Sequence, residues 1–144
     1  MTRFVSVTVL LMTPLMIAGC GGDGAAPESV TSSEGSVTKG VEAVAAKDWA
    51  TAETELVAAI KAGALQPDQA EIAMLNLSKA RIELGKTDEA AIVIQDLERG
   101  AAAMDEVLAT KAALLLKKGD TAGAKAAFAE ARKLNPKVTA PAGL

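Results

Sequence analysis

Residues 85–97, GKTDEAAIVIQDL, are answered by residues 119–131, GDTAGAKAAFAEA. Gly85, Ala90, Ile94 and Leu97 recur one period of 34 residues later as Gly119, Ala124, Phe128 and Ala131. A turn glycine followed by small and then larger apolar positions, repeated at that length, marks a stack of helical hairpins. A third copy lies upstream, with Lys47, Asp48 and Trp49 at the turn and Ala52, Leu56 and Ala59 after it. Its step to the next copy, Lys47 to Gly85, is 38 residues, and the extra length fits the loop around residues 63–68. Lys47 stands where the other copies have glycine, so that turn is either not left-handed or strained.

The helical period extends over the rest of the body. Six helices are predicted, at 36–46, 48–62, 68–84, 87–99, 103–118 and 120–134. Gly63, Gly85, Gly100 and Gly119 fall just past helix ends, where a left-handed residue is wanted. Asp68 with Glu71 reads as an acidic capping pair after Pro67, Asp120 caps the last helix and Pro136 closes it. Gly123 lies inside that helix, at a cost of about 1 kcal/mol relative to alanine. The fold class is all-α, with about six antiparallel helices in three hairpins.

The 144 residues suffice for one domain. Glu, Lys and Ala dominate outside the apolar positions, and aromatics make up only 2%, which suits helices and not strands. The net charge of −3 argues against a nucleic-acid surface. With no histidine and one cysteine, a His-based acid–base pair, a Cys/His zinc site and an internal disulfide are excluded. Glu53/Glu55 and Asp105/Glu106 are close in sequence, but residues one or two apart do not share a helix face. No catalytic residue, metal ligand or cofactor site is assigned, and the chain reads as a non-enzyme.

Residues 1–19 carry Arg3 and a mostly apolar stretch at 4–17, too short for a comfortable span and suited to a secretory signal. Ile17-Ala18-Gly19-Cys20 resembles the lipobox of bacterial lipoproteins. The resemblance implies cleavage between Gly19 and Cys20 and acyl chains on Cys20, two or more being needed for stable anchoring. Such a protein is held in the cell envelope. Gly21, in place of a retaining aspartate, implies the outer membrane facing the periplasm in a Gram-negative host. Residues 20–35 read as the lipidated cysteine and a flexible linker, rich in Gly, Ser, Ala and Glu. Residues 36–136 form the helical domain and 137–144 a C-terminal tail. The tail is too short for a capping helix, so Val138 and Leu144, another protein or a second copy are left to cover the edge of the last helix.

The hairpins resemble tetratricopeptide repeats. The resemblance rests on the small residues Gly40, Ser78 and Ala112 in the first helices and on Ala52, Ala90 and Ala124 in the second. Leu56, Ile94 and Phe128 stand beside them, and Asn135-Pro136 marks the exit. It covers about 100 residues and implies a right-handed α-solenoid in which the first helix of each hairpin lines a concave groove. The implied lining is Val37, Val41 and Val44, then Ile72, Leu75, Lys79 and Ile82, then Glu106, Ala109, Ala113 and Leu116. Asn76 matches one asparagine of the family's carboxylate clamp, but Val37, Val41, Glu106 and Thr110 occupy its other positions, which argues against a clamp. A mostly apolar face of this kind either holds an amphipathic helix or extended segment, or is consumed by the packing of three hairpins. Trp49 takes the place of an aromatic that packs at the hairpin turn. The function implied is a protein–protein adaptor or scaffold on the envelope membrane, with a protein or peptide partner and the bilayer as its contacts. The alternative is a structural lipoprotein that self-associates into a homo-oligomer.

Overall fold

The computed structural model describes residues 28–144, with side chains from residue 32 onward. The described residues contain six helices and no strand: α1 (Glu28–Ala45), α2 (Trp49–Ala62), α3 (Pro67–Glu83), α4 (Thr87–Leu97), α5 (Met104–Lys117) and α6 (Thr121–Leu134). The signal segment, Cys20 and the first part of the expected linker lie outside the described residues. Helices α2 to α6 begin and end within two residues of their predicted bounds.

Helix α1 is the exception, because it starts at Glu28 and not at 36. The stripe of Val37, Gly40 and Val44 continues one turn upstream to Ser33, which is buried. Glu34 accepts a 3.1 Å hydrogen bond from the Gln69 side chain of α3. The expected linker therefore gives up residues 28–35 to the helix. A pattern search for apolar residues stops at Val37 because the next buried position carries a hydroxyl.

Three hairpin turns are built alike. Lys47 N–H bonds Val44 O and Asp48 N–H bonds Ala43 O; the same pair recurs at Gly85/Lys86 on Ile82 and Arg81, and at Gly119/Asp120 on Leu116 and Leu115. This is the paired closure of a left-handed helix end. Gly85 and Gly119 have φ of 78° and 85°, and Lys47 adopts the same hand at 59°. The first turn is therefore left-handed, and the lysine bears the strain of it. Gly63 is also left-handed, whereas Gly100 is not, contrary to its expected role.

The small residues of the motif lie where helices approach. Ser78, Ala112, Ala52, Ala90 and Ala124 are fully buried. A Cβ on Gly40 would meet Leu56 Cγ at 2.5 Å, so α1 and α2 are closer there than any side chain permits. Leu56 is fully buried in return, and burying a leucine stabilises by roughly 1.5–3 kcal/mol.

Each helix packs on the next, and α3 also packs on α1 and α5. Helices α1, α3 and α5 thus form a continuous row. Among the described residues α2, α4 and α6 lie against that row without packing on one another. Helix α3, flanked by four others, is buried nearly all round at Ala73, Leu75, Leu77, Ser78, Ala80 and Ile82. One core runs from α1 to α5. A smaller cluster of Ala112, Ala124 and Ala127, with Leu115, Leu116 and Phe128 against it, joins α6 to α5.

Candidate functional site

The inner row carries the residues implied as a groove, but they do not form one open surface. Val37, Leu75 and Ile82 belong to the core, only 7%, 6% and 3% exposed. Leu116 packs in the α5–α6 cluster. The remainder divides into two places. Val41 and Ile72, with the edge of Val37, line a shallow depression rimmed by Glu34, Thr38, Glu42 and Gln69. Val44, Lys79, the edge of Ile82, Glu106, Ala109 and Ala113 line a cavity of about 500 Å³.

That cavity lies where the row of α1, α3 and α5 meets the start of α2, and Trp49 forms part of its wall. Trp49 also packs on the core as a turn aromatic should. The floor is apolar and built of small side chains on α5, Ala109 and Ala113. The hydroxyl of Thr110 faces back to its own helix, donating to Glu106 O at 2.8 Å. The rim is charged: Lys79 pairs with Glu106 at 3.5 Å and Lys117 reaches Glu83 at 3.9 Å, each spanning α3 and α5. Both pairs are well exposed and contribute little to stability.

The opposite wall comes from residues that no groove pattern includes: Asn135, Lys137, Val138, Thr139 and Pro141. The tail therefore runs along the cavity beside α5. Asn135 directs it there. Its side-chain amide donates to Asp105 Oδ2 at 2.7 Å, and its Oδ1 and backbone O accept from Lys137 N–H and Val138 N–H. Pro136 holds Asn135 in extended geometry, which ends α6 and turns the chain back.

The polar residues singled out in the sequence are spent on holding elements together. The Asn76 amide donates to Ile72 O of its own helix at 2.8 Å, so the one clamp-like asparagine is engaged. Glu53 on α2 binds Lys86 at 2.7 Å and Arg81 at 3.3 Å, and Arg81 also pairs with Glu89 of α4. The hydrogen bond from Lys86, with help from Arg81, holds the Glu53 carboxyl below its ordinary range against the opposing effect of burial. The Asp48 carboxyl is lowered by its hydrogen bonds to Thr51 at the start of α2. Glu71 does not cap its own helix. Its carboxylate accepts from Ala102 N–H at 2.9 Å and Ala103 N–H at 2.7 Å, and so holds the entry to α5 and sets a negative charge at its N-terminus, where the N-cap residue Ala103 has no side-chain acceptor. Among the described residues no group of three or more Asp, Glu, Cys or His could hold a metal ion. None of the described helices is long and apolar enough to cross a membrane.

Comparison with protein-family models, with curated proteins and with solved structures finds no match to this chain.

Proposed function

We propose that the chain is a membrane-tethered adaptor of the bacterial cell envelope. Cys20 carries the acyl chains, and three tetratricopeptide-like hairpins, wound as a right-handed solenoid, hold a protein or peptide. The observation that carries the holding role is the cavity bounded by Val44, Trp49, Ile82, Ala109 and Ala113, an apolar floor inside a charged rim. Such a site offers apolar burial for affinity and polar edges for register. The anchoring role rests on the lipobox alone.

Each role has its own test. A photocrosslinking amino acid at Ala109 should capture a specific partner in the native host, and one at the exposed Ile92 of α4 should not. Equal capture from both positions would remove the groove from the reading. Cys20→Ala should abolish lipid labelling and release the protein from the membrane fraction. Membrane retention of an unlabelled protein would refute the anchor.

A second reading has its own support. Helix α6 packs on α5 alone, and Leu134 on it is 59% exposed. That face suits a second copy, making the protein a self-associating structural element. Light scattering of the purified chain at high concentration discriminates, since a strict monomer excludes this reading.

A further inference from the structure

We propose that the segment after α6, residues 137–141, is an intramolecular strap that walls one side of the binding cavity and narrows it, and must swing away before a partner is held in full. The inference rests on the adaptor reading, because a strap regulates only a site for which something competes.

The strap is built into the fold at one residue. Asn135 uses every polar group it has: its backbone N–H bonds Ala131 O, its carbonyl takes Val138 N–H, and its side chain bridges Lys137 N–H and Asp105. The first of these ends α6, the next two bend the chain, and the last pins it to the first turn of α5. Asn135 and Asp105 are both half-buried, so the pin is partly shielded from water. Beyond it Val138 and Pro141 are half-buried along the cavity, while Lys137, Thr139 and Ala140 are exposed. The strap thus places two half-buried apolar side chains, Val138 and Pro141, on the cavity whose floor is Ala109 and Ala113.

This geometry names the chemistry of the competitor. The small floor residues on α5 admit close approach of a peptide backbone, and the strap is itself a non-helical segment, with Val138 and Pro141 as its half-buried side chains. The partner is an extended peptide with small apolar residues and proline. While the strap is closed, the apparent affinity for that peptide is reduced in proportion to the open fraction.

The only tryptophan, Trp49, lines the same cavity and reports on it directly. The experiment uses the full chain in detergent, the Asn135→Ala variant that breaks the pin, and Val138→Asp, which repels the strap without touching a helix. Far-UV circular dichroism checks that each remains folded, and Val138→Asp serves if Asn135→Ala does not. The probe is a labelled synthetic peptide of residues 135–144. Acrylamide quenching of Trp49 should rise at least twofold in the released variant, and the peptide should bind that variant at least tenfold more tightly than the parent. Unchanged quenching, or equal peptide affinity for parent and variant, would overturn the strap. These readouts need no cellular partner, so their failure is distinct from a failure of crosslinking at Ala109, which would sink the adaptor reading instead.

Discussion

At the scale of single residues, two glycines on one helix behave oppositely. Gly35 and Gly40 both lie in α1, and a glycine in a helix interior costs about 0.5–1 kcal/mol relative to alanine. A Cβ at Gly35 would meet nothing within 4 Å, whereas at Gly40 it would run into the Leu56 side chain. Gly35→Ala should therefore gain up to about 1 kcal/mol, and Gly40→Ala should lose about 1–3 kcal/mol through overpacking. Urea unfolding of the pair measures both; a stabilised Gly40→Ala would mean that α1 and α2 are not pressed together there. Lys47 supplies a converse case. It holds φ of 59° in a turn whose two counterparts carry glycine, and its substitution removes a left-handed penalty of about 1–2 kcal/mol, partly offset by glycine's chain entropy. Lys47→Gly should raise stability by about 1 kcal/mol. A loss of stability would show that the lysine side chain holds something in that turn.

At the scale of elements, the ion network on Glu53 joins α2, α3 and the start of α4. Its carboxyl titrates below the ordinary value of 4.5 in the folded chain because Lys86 and then Arg81 favour the charged form. The stabilisation is therefore complete above the unfolded value and is lost as pH falls through it toward the lower folded value. Glu53→Gln should cost about 1–2 kcal/mol at neutral pH, the exposure of Lys86 keeping the figure modest. The gap between parent and variant should close as pH falls below the unfolded value of 4.5, as read from urea midpoints; a gap independent of pH would assign the loss to packing. Elements were also where the sequence could be read most directly. Helices α2 to α6 followed from apolar spacing and turn residues, and the three equivalent turns from the recurrence of Gly85 at Gly119. Three features were not legible because polar side chains stand at structural positions. Ser33 extends α1 at a buried place where a stripe of apolar residues would be sought, while Glu71, which holds the entry to α5, and Asn135 in the tail bond partners on a different element. Glu71 and Ala103 are 32 residues apart, and no local pattern links them. The candidate site shares this limit: Val44, Lys79, Ala109 and Ala113 fall on predicted inner faces, while the wall made by residues 137–141 depends on where α6 ends in space.

At the scale of the whole molecule, packing is unevenly distributed among the helices. Helix α3 packs on four helices, whereas α6 packs on one. The buried residues of α6 are Ala124, Ala127 and Ala131, which bury little area each, so the half-buried Phe128 is the largest apolar group on its packed face. In a stack where stability is a sum of near-neighbour terms, such a terminal helix opens on its own before the rest. Native-state hydrogen exchange should show α6 amides exchanging through a local opening and α3 amides only through global unfolding. Two truncations sharpen the expectation. Leu56→Ala leaves a void in the main core and should cost about 2–5 kcal/mol, speeding exchange in α1 to α4 together. Phe128→Ala should speed exchange in α6 and loosen the strap that follows it, with α1 to α4 unchanged. The strap and the least stable helix are then one cooperative unit, so weakening the α5–α6 contact should open the cavity as breaking the Asn135 pin does. Acrylamide quenching of Trp49 in Phe128→Ala checks this coupling, and quenching equal to that of the parent while α6 exchanges faster would show that the strap is held by Asp105 alone.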